Sequence, residues 1–285
     1  MNRHRHILIL IILILLGAPA AVSAEGTDDF EMIRQASLKI LSLNIHGGVN
    51  WNGEYDFEGL LGFIREVNPD LIGLQEVDRV WSQRSHFQDI CRELAQELNM
   101  SYAFSVSLER NDGFFGNQIL SKYPIIQEWA ERLPGILESR SFIFAQVLIS
   151  GIKVNVINTH LGLSEEDRRL QAEDLVEFIG RINGPLIVMG DFNGSAADYG
   201  VSLLHANLVD LQENSEAKGR GTFKRKDGNA SERIDYILTT PDFLLDNCQI
   251  VENNISDHLP LLAEVTLWAE VQAAPQSGLE QPGFF

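Results

Sequence analysis

The sequence predicts an α/β fold, on three observations. From residue 37 onward, short apolar runs of strand length alternate with segments whose apolar residues recur at helical spacing. Apolar residues make up 45% of the 285, enough to fill a sizeable core, and no interior linker or repeat divides them. The chain has only two cysteines, which excludes a disulfide-stapled scaffold. Layered α/β folds often run to about 250 residues undivided, so one domain over 37–269 is expected.

Residues 1–24 have the three-part form of a secretory signal. A basic start (Arg3, His4, Arg5, His6) precedes an unbroken apolar run over 7–16, and Ala21, Val22, Ser23 and Ala24 supply small residues at a cleavage point. That run is short of the ~20 residues a bilayer-spanning helix needs. Export with removal of the signal is expected, an uncleaved N-terminal anchor being the alternative. Residues 25–36 read as a lead-in. Export would permit a disulfide between Cys91 and Cys248, but two buried free thiols are the expectation.

The first strand is expected over 37–43. Phe57, Leu60, Leu61, Ile64 and Val67 then follow one helical face, with Asp56 placed to cap it and Pro69 to stop it. A buried strand over 71–74 is followed by a second helix marked by Phe87, Ile90, Leu94 and Leu98. Ile152, Val154 and Val156 alternate as a strand. Ser164, Glu165, Glu166 and Asp167 resemble a capping box opening a helix that runs to about Ile182. Strands over 186–189, 234–238 and 261–267 complete the series, and the Pro- and Gly-punctuated tail, 270–285, reads as disordered.

Charge narrows the function. With 22 Lys+Arg against 40 Asp+Glu the net charge is −18, which argues against binding nucleic acid through a broad basic surface. It leaves room for an enzyme that engages phosphate through a metal and a few arginines. One stretch runs against the trend: Lys218, Arg220, Lys224, Arg225 and Lys226 form either a solvated hairpin or a cationic lip for an anionic substrate.

The most informative residues stand at the strand ends: Asn44, Glu76, Asn158 with His160, Asp191 with Asn193, Asp235, and Asp257 with His258. Each alone reads as a turn former or a hydrogen-bonded core residue. Their repetition suggests side chains aimed into a shared crevice. Glu76 and Asn44 would supply the oxygen donors Mg²⁺ accepts, and His258, with an ordinary pKa near ~6.5, is a natural proton acceptor.

The motifs LSLN (41–44), LQEV (74–77), NTHL (158–161), GDFN (190–193), RIDY (233–236) and SDHLP (256–260) occur in the order of the endonuclease/exonuclease/phosphatase superfamily, the DNase I-like metal-dependent phosphoesterases. The chain resembles that family from about 38 to 267, and GNQILSKYPI (116–125) is similar to a segment of its compact bacterial members. The resemblance implies a four-layer α/β/β/α sandwich of two mixed β-sheets flanked by helices, and Mg²⁺ or Mn²⁺ as cofactor. It implies Glu76 as principal metal ligand, Asn44 beside it and Asp257 as a further ligand. His258 would be the general base, its ring held by Asp235. Asp191 and Asn193 would orient the attacking water and contact phosphate, although some schemes for the family make Asp191 the base. His160 would donate to a phosphoryl oxygen or assist the leaving group. Arg140 fits a phosphate-binding arginine or, equally, a surface ion pair with Glu138. Arg168 and Gln171 match a helix start of structural importance. One departure is His46, where nuclease branches such as exonuclease III carry an aspartate.

The expected function is therefore an exported phosphodiester hydrolase acting by metal-assisted in-line attack of water. Its partner is a phosphate-ester substrate, nucleic acid among the candidates, and the protein is expected to be a monomer without stable membrane insertion. A lipid phosphodiesterase of the neutral sphingomyelinase kind and a phosphomonoesterase acting on sugar or inositol phosphates are the alternatives. A catalytically inactive binding protein on the same fold is disfavoured, because Glu76, Asp191, Asp235 and His258 are all present.

Overall fold

The computed structural model describes residues 30–206 and 208–272, so the expected signal (1–24) and the tail from 273 lie outside the described residues. Residues 32–269 make one compact unit. Its strands are β1 (Phe30–Asn44), β2 (Leu71–Arg79), β3 (Ser101–Arg110), β4 (Gly113–Ser121), β5 (Ile125–Leu133), β6 (Arg140–Ile149) and β7 (Ile152–His160). They continue with β8 (Leu186–Asp191), β9 (Val209–Asp210), β10 (Phe223–Lys224), β11 (Ala230–Glu232), β12 (Asp235–Thr239), β13 (Phe243–Ile250) and β14 (Leu261–Gln272). The helices are α1 (Phe57–Val67), α2 (Ile90–Leu98), α3 (Glu165–Ile179) and α4 (Tyr199–His205).

Two six-stranded mixed sheets result, ordered β13-β14-β1-β2-β4-β3 and β5-β6-β7-β8-β12-β9, with β10 and β11 as a separate hairpin. Three buried clusters give the four layers. One lies between the sheets, with Leu38, Ile40, Ile143, Val154, Val156, Ile187 and Met189 among its members. A second packs Leu41, Leu43, Ile72 and Leu74 under α1 and α2. The third packs Ile157, Val188 and Leu238 under α3 and α4. Because side chains alternate along a strand, both faces of each sheet can be apolar only when both are covered. That is the layered fold the sequence predicts.

The local chemistry matches several expectations. Asp56 accepts from the Gly59 amide to cap α1, and Asn68, in the left-handed conformation, ends it before Pro69. Ser164 caps α3 by accepting from the Asp167 amide. The box is not reciprocal, however. The buried Asp167 carboxylate accepts from the Ile136 and Leu137 amides and so holds the 134–138 loop against α3. Backbone donors hold its pKa below the usual carboxylate value, the Ile136 amide foremost, against the opposing effect of burial. Arg168 donates to the Leu163 carbonyl and to Asp198, and Gln171 accepts from the Gly162 amide. Their expected structural role is visible in those contacts.

Elsewhere the structure differs from expectation. β1 starts at Phe30 rather than at residue 37, inside the expected lead-in. Phe87 stands outside α2, half-exposed, because Asp89 caps that helix and fixes its start at Ile90. α3 ends at Ile179, short of Ile182. Cys91 and Cys248 are free and buried in different clusters. Burial raises both thiols, Cys248 to about 11.

Candidate active site

The inner faces of the two sheets change from apolar to polar at one end. Along β1 the inward row reads Leu38, Ile40, Ser42, Asn44; along β7 it reads Val154, Val156, Asn158, His160; along β8 it reads Ile187, Met189, Asp191. β12 runs antiparallel to β8 and brings Asp235, at its start, beside Asp191, while His160 of β7 sits beside Asp191 on the other side. Strand register alone thus sets His160, Asp191 and Asp235 in one row across three strands. Gly190 lets that row close: a Cβ there would lie 1.9 Å from the Thr159 carbonyl oxygen, and its φ is +149°.

Two local devices bring in the remaining groups. β2 shifts register against β4 between Leu74 and Val77, where Glu76 adopts a left-handed φ of 56°. Such an irregularity re-aims a side chain out of the regular pleat. Ser256 donates through its hydroxyl to the Asn44 carbonyl (2.7 Å) and accepts from the His258 amide (3.2 Å), tying the SDH segment to the end of β1.

The contacts converge on one carboxylate. Asp191 Oδ2 accepts from the Asn44 amide at 3.0 Å and lies 3.3 Å from His160 Nε2 and 3.6 Å from His258 Nε2; Oδ1 accepts from the Asn193 backbone N–H at 2.9 Å. The same Asn44 amide group reaches Glu76 Oε1 at 3.2 Å. His258 Nδ1 is 2.9 Å from Asp235 Oδ2, so both its ring nitrogens face carboxylates and both carry hydrogens. Arg140 Nη1 lies 3.1 Å from His160 Nδ1, and a guanidinium can only donate. On the other side of the ring, Nε2 meets the side-chain amide of Asn193 at 2.9 Å as well as Asp191 Oδ2 at 3.3 Å.

Charge follows from these contacts. Burial would lower the imidazole of His258, but Asp235 and Asp191 outweigh it and push its pKa up to about 10. Burial raises Asp191, with the His258 charge opposing, toward neutrality. His160 is driven well below the ordinary histidine value by burial, then by the Arg140 charge, and stays neutral. The folded pKa of His258 lies above its unfolded value of ~6.5. Its contribution to stability is therefore fully present below that pH and lost as pH rises through about 10. Denaturant unfolding of the protein in EDTA is expected to show stability falling between pH 7 and 10, and His258→Asn should remove most of that slope.

The cluster forms the floor of a cleft of about 610 Å³, with Glu76, Arg140, His160, Asp191, Asn193, Asp257 and His258 all in its lining. Of the strand-end residues expected from the sequence, all but Asn158 are in that lining or hydrogen-bonded to it, Asn44 and Asp235 being in the second group. Arg140 is 4% exposed, bonded to Glu138 at 2.7 Å, and its Nε has no partner among the described residues. The pair is thus made, in the cleft wall rather than on the open surface. Asn158 belongs to the fold instead: it bonds Gln75 (2.7 Å) and the Leu74 and Gln118 carbonyls between the sheets. His46 lies in the turn after β1, with Nδ1 3.7 Å from Asp257 Oδ1.

Asp191, Asp235 and His258 offer ligand atoms all within 4.8 Å of one another, but Asp235 and His258 already engage each other. Glu76 and Asp257, with 23% and 30% of their side chains exposed, line the same cleft as Asp191 and offer further carboxylate oxygens. Those hard donors fit Mg²⁺ or Mn²⁺. Asn44 turns its oxygen to the His46 amide at 3.0 Å and presents its NH₂ group to the carboxylates.

Two residues of the site had no sequence signal. Arg84 reaches Asp78 at 2.9 Å and Glu76 at 3.4 Å from a turn that carries no motif. Its guanidinium lies against Gly47, where a Cβ would meet Nε at 2.3 Å. Ser256 stood inside SDHLP, but its hydroxyl bridge depends on a contact with β1 that a local motif does not show. The cationic stretch 218–226 is largely spent on internal pairs. Lys224 is buried and donates to the Asn253 carbonyl, Arg225 pairs with Glu232, Arg220 with Glu252 and Lys218 with Glu213. Lys226 stays exposed and lines a recess beside the cleft, together with the exposed Arg225.

Residues 41–258 match the Endonuclease/Exonuclease/phosphatase family. Among curated proteins, YbhP of Escherichia coli strain K12, itself uncharacterized, is 28% identical over 180 residues, spanning 57% of this chain and 69% of that protein. Among solved structures, an endonuclease/exonuclease/phosphatase from Beutenbergia cavernae superposes with a TM-score of 0.69 at 22% identity, covering 85% of this chain and 79% of the other. The mannosyl-6-phosphatase Bt3783 of Bacteroides thetaiotaomicron gives 0.65 at 18% identity, covering 80% and 99%.

Proposed function

The chain belongs to the endonuclease/exonuclease/phosphatase family of phosphoesterases, and from that premise we propose that it is an exported, divalent-metal-dependent hydrolase of a phosphodiester. The observation that carries this reading is the convergence of Asn44, His160 and His258 on one oxygen of Asp191 at the floor of the cleft. Export rests on the residue pattern of 1–24. Among the described residues no helix is long and apolar enough to cross a membrane.

In this reading Asp191 accepts the proton of the attacking water. The new O–P bond forms opposite the ester P–O bond that breaks. His258, kept cationic by Asp235, donates to a phosphoryl oxygen, and His160, held between Arg140 and Asn193, lines the phosphate position. Asn193 orients the water, and Arg140 contacts the phosphate. The resemblance gave proton acceptance first to His258; with both its nitrogens facing carboxylates, the geometry supports Asp191, the alternative it left open. Glu76 and Asp257 would hold the cation, and Lewis-acid polarisation of a phosphoryl oxygen is the chemistry such an ion supplies when bound.

A diester is favoured over a monoester by charge. A phosphomonoester carries about −1.5 to −2 at pH 7, a diester a single charge. Both cleft arginines, Arg84 and Arg140, are already paired with carboxylates, and Glu138, Glu232 and Asp257 also line the wall. Beyond His258 and the bound cation, little positive charge remains for a dianion. The test is purified protein with Mg²⁺ or Mn²⁺ on bis-p-nitrophenyl phosphate, p-nitrophenyl phosphate, mannose 6-phosphate, sphingomyelin and single- and double-stranded nucleic acid. Higher kcat/KM on a diester than on every monoester is expected; the reverse order would make the protein a phosphomonoesterase.

A further inference from the structure

Phe223 and Asp257, which line the catalytic cleft, also line a second recess of about 650 Å³. Its wall is mostly apolar and includes Trp51, Phe223 and the 224–227 turn. We propose that this recess is a substrate subsite that takes a planar aromatic group esterified to the phosphate, stacked on Trp51 and Phe223. The proposal rests on the phosphodiester reading above and names its substrate class.

Three observations carry it. The recess adjoins the site: Phe223 and Asp257 line both spaces, and the Phe223 ring lies 5.0 Å from the imidazole of His258. A group there would be attached to the same phosphorus that His258 faces. The recess is also built rather than incidental. Lys224, only 6% exposed, donates to the Asn253 carbonyl and to Asn254 Oδ1 (3.3 Å), and its ammonium sits 5.4 Å from the centre of the Trp51 ring. The Trp51 amide donates to the Asn254 carbonyl at 2.9 Å. One buried lysine thus fixes Trp51, β10 and the loop that leads to Asp257 and His258. Finally, Lys224 and Arg225 are committed to protein acceptors. Lys226 and Asp227, opposite in charge, also line the recess; its preference for a planar group comes from ring contact, and every aryl group or nucleobase has a π face to offer.

The test measures competitive inhibition of bis-p-nitrophenyl phosphate hydrolysis by dimethyl phosphate, diphenyl phosphate and thymidylyl-(3′→5′)-thymidine. Trp51→Leu keeps an apolar side chain but removes the ring. It is expected to raise Ki for a ring-bearing inhibitor about tenfold, to leave dimethyl phosphate within twofold, and to be rescued by Trp51→Phe. Loss with diphenyl phosphate alone assigns an aryl ester, and loss with the dinucleotide assigns a nucleobase. Phe223→Leu reads the same ratio if Trp51→Leu does not fold. Unchanged ratios in an active wild-type enzyme overturn the subsite while leaving the phosphodiester reading in place. A wild-type protein that hydrolyses monoesters and no diester overturns both.

Discussion

Asp191→Asn is expected to lower kcat on a phosphodiester by about 10²–10⁴-fold, the range typical of a lost general base, with a much smaller change in KM. The substitution keeps the shape of a side chain that accepts from Asn44 and from the Asn193 amide, but removes its capacity to take a proton. In the wild type the rate should fall along an acid limb as Asp191 takes up a proton. In the variant that limb should disappear. Steady-state kinetics across pH 5–10 at saturating Mn²⁺ reads both effects. A loss confined to KM would return the carboxylate to substrate binding, and base duty to His258.

Glu76→Ala is expected to abolish metal-dependent turnover and to weaken Mn²⁺ binding measured by calorimetry. Glu76 is a carboxylate at the cleft mouth aimed by a left-handed residue in an irregular part of β2. Its other neighbours, Asn44 and Arg84, position it and do not replace it. Glu76→Asp should restore part of the affinity, since the charge remains and only reach is lost. Retention of wild-type turnover in Glu76→Ala, with EDTA still abolishing activity, would move the ion to another carboxylate.

Much of this site is legible in the sequence, for a reason the strands make plain. Asn44, His160, Asp191 and Asp235 are strand-end residues, and a strand end is visible wherever an apolar run stops at a polar residue. Their convergence also follows from pairing, since β7, β8 and β12 are neighbours in register. What the sequence does not carry is reach across elements. Arg84 contacts Glu76 only because the turn after β2 folds back, and nothing in its spacing announces that. The basic run 218–226 reads as free charge until its carboxylate and carbonyl partners, distant in the chain, are known. Strand lengths were underestimated for a related reason. β1 begins within the polar stretch before residue 37, where pairing rather than an apolar pattern sustains it. β3, β5, β6 and β13 have no counterpart among the expected strands: β5 faces solvent at the sheet edge, whereas β6 is almost wholly buried and its apolar run carries no motif beyond its first residues.

The central claim is that groups from both sheets act together on one phosphate, with Asn44 bridging Glu76 and Asp191. A double-substitution cycle on bis-p-nitrophenyl phosphate, with Glu76→Gln, Asp191→Asn and the pair combined, measures that directly. Residues acting as a unit are strongly non-additive, so the combined variant should lose about as much kcat as the worse single one. Losses that multiply, as for two independent sites, would contradict the account.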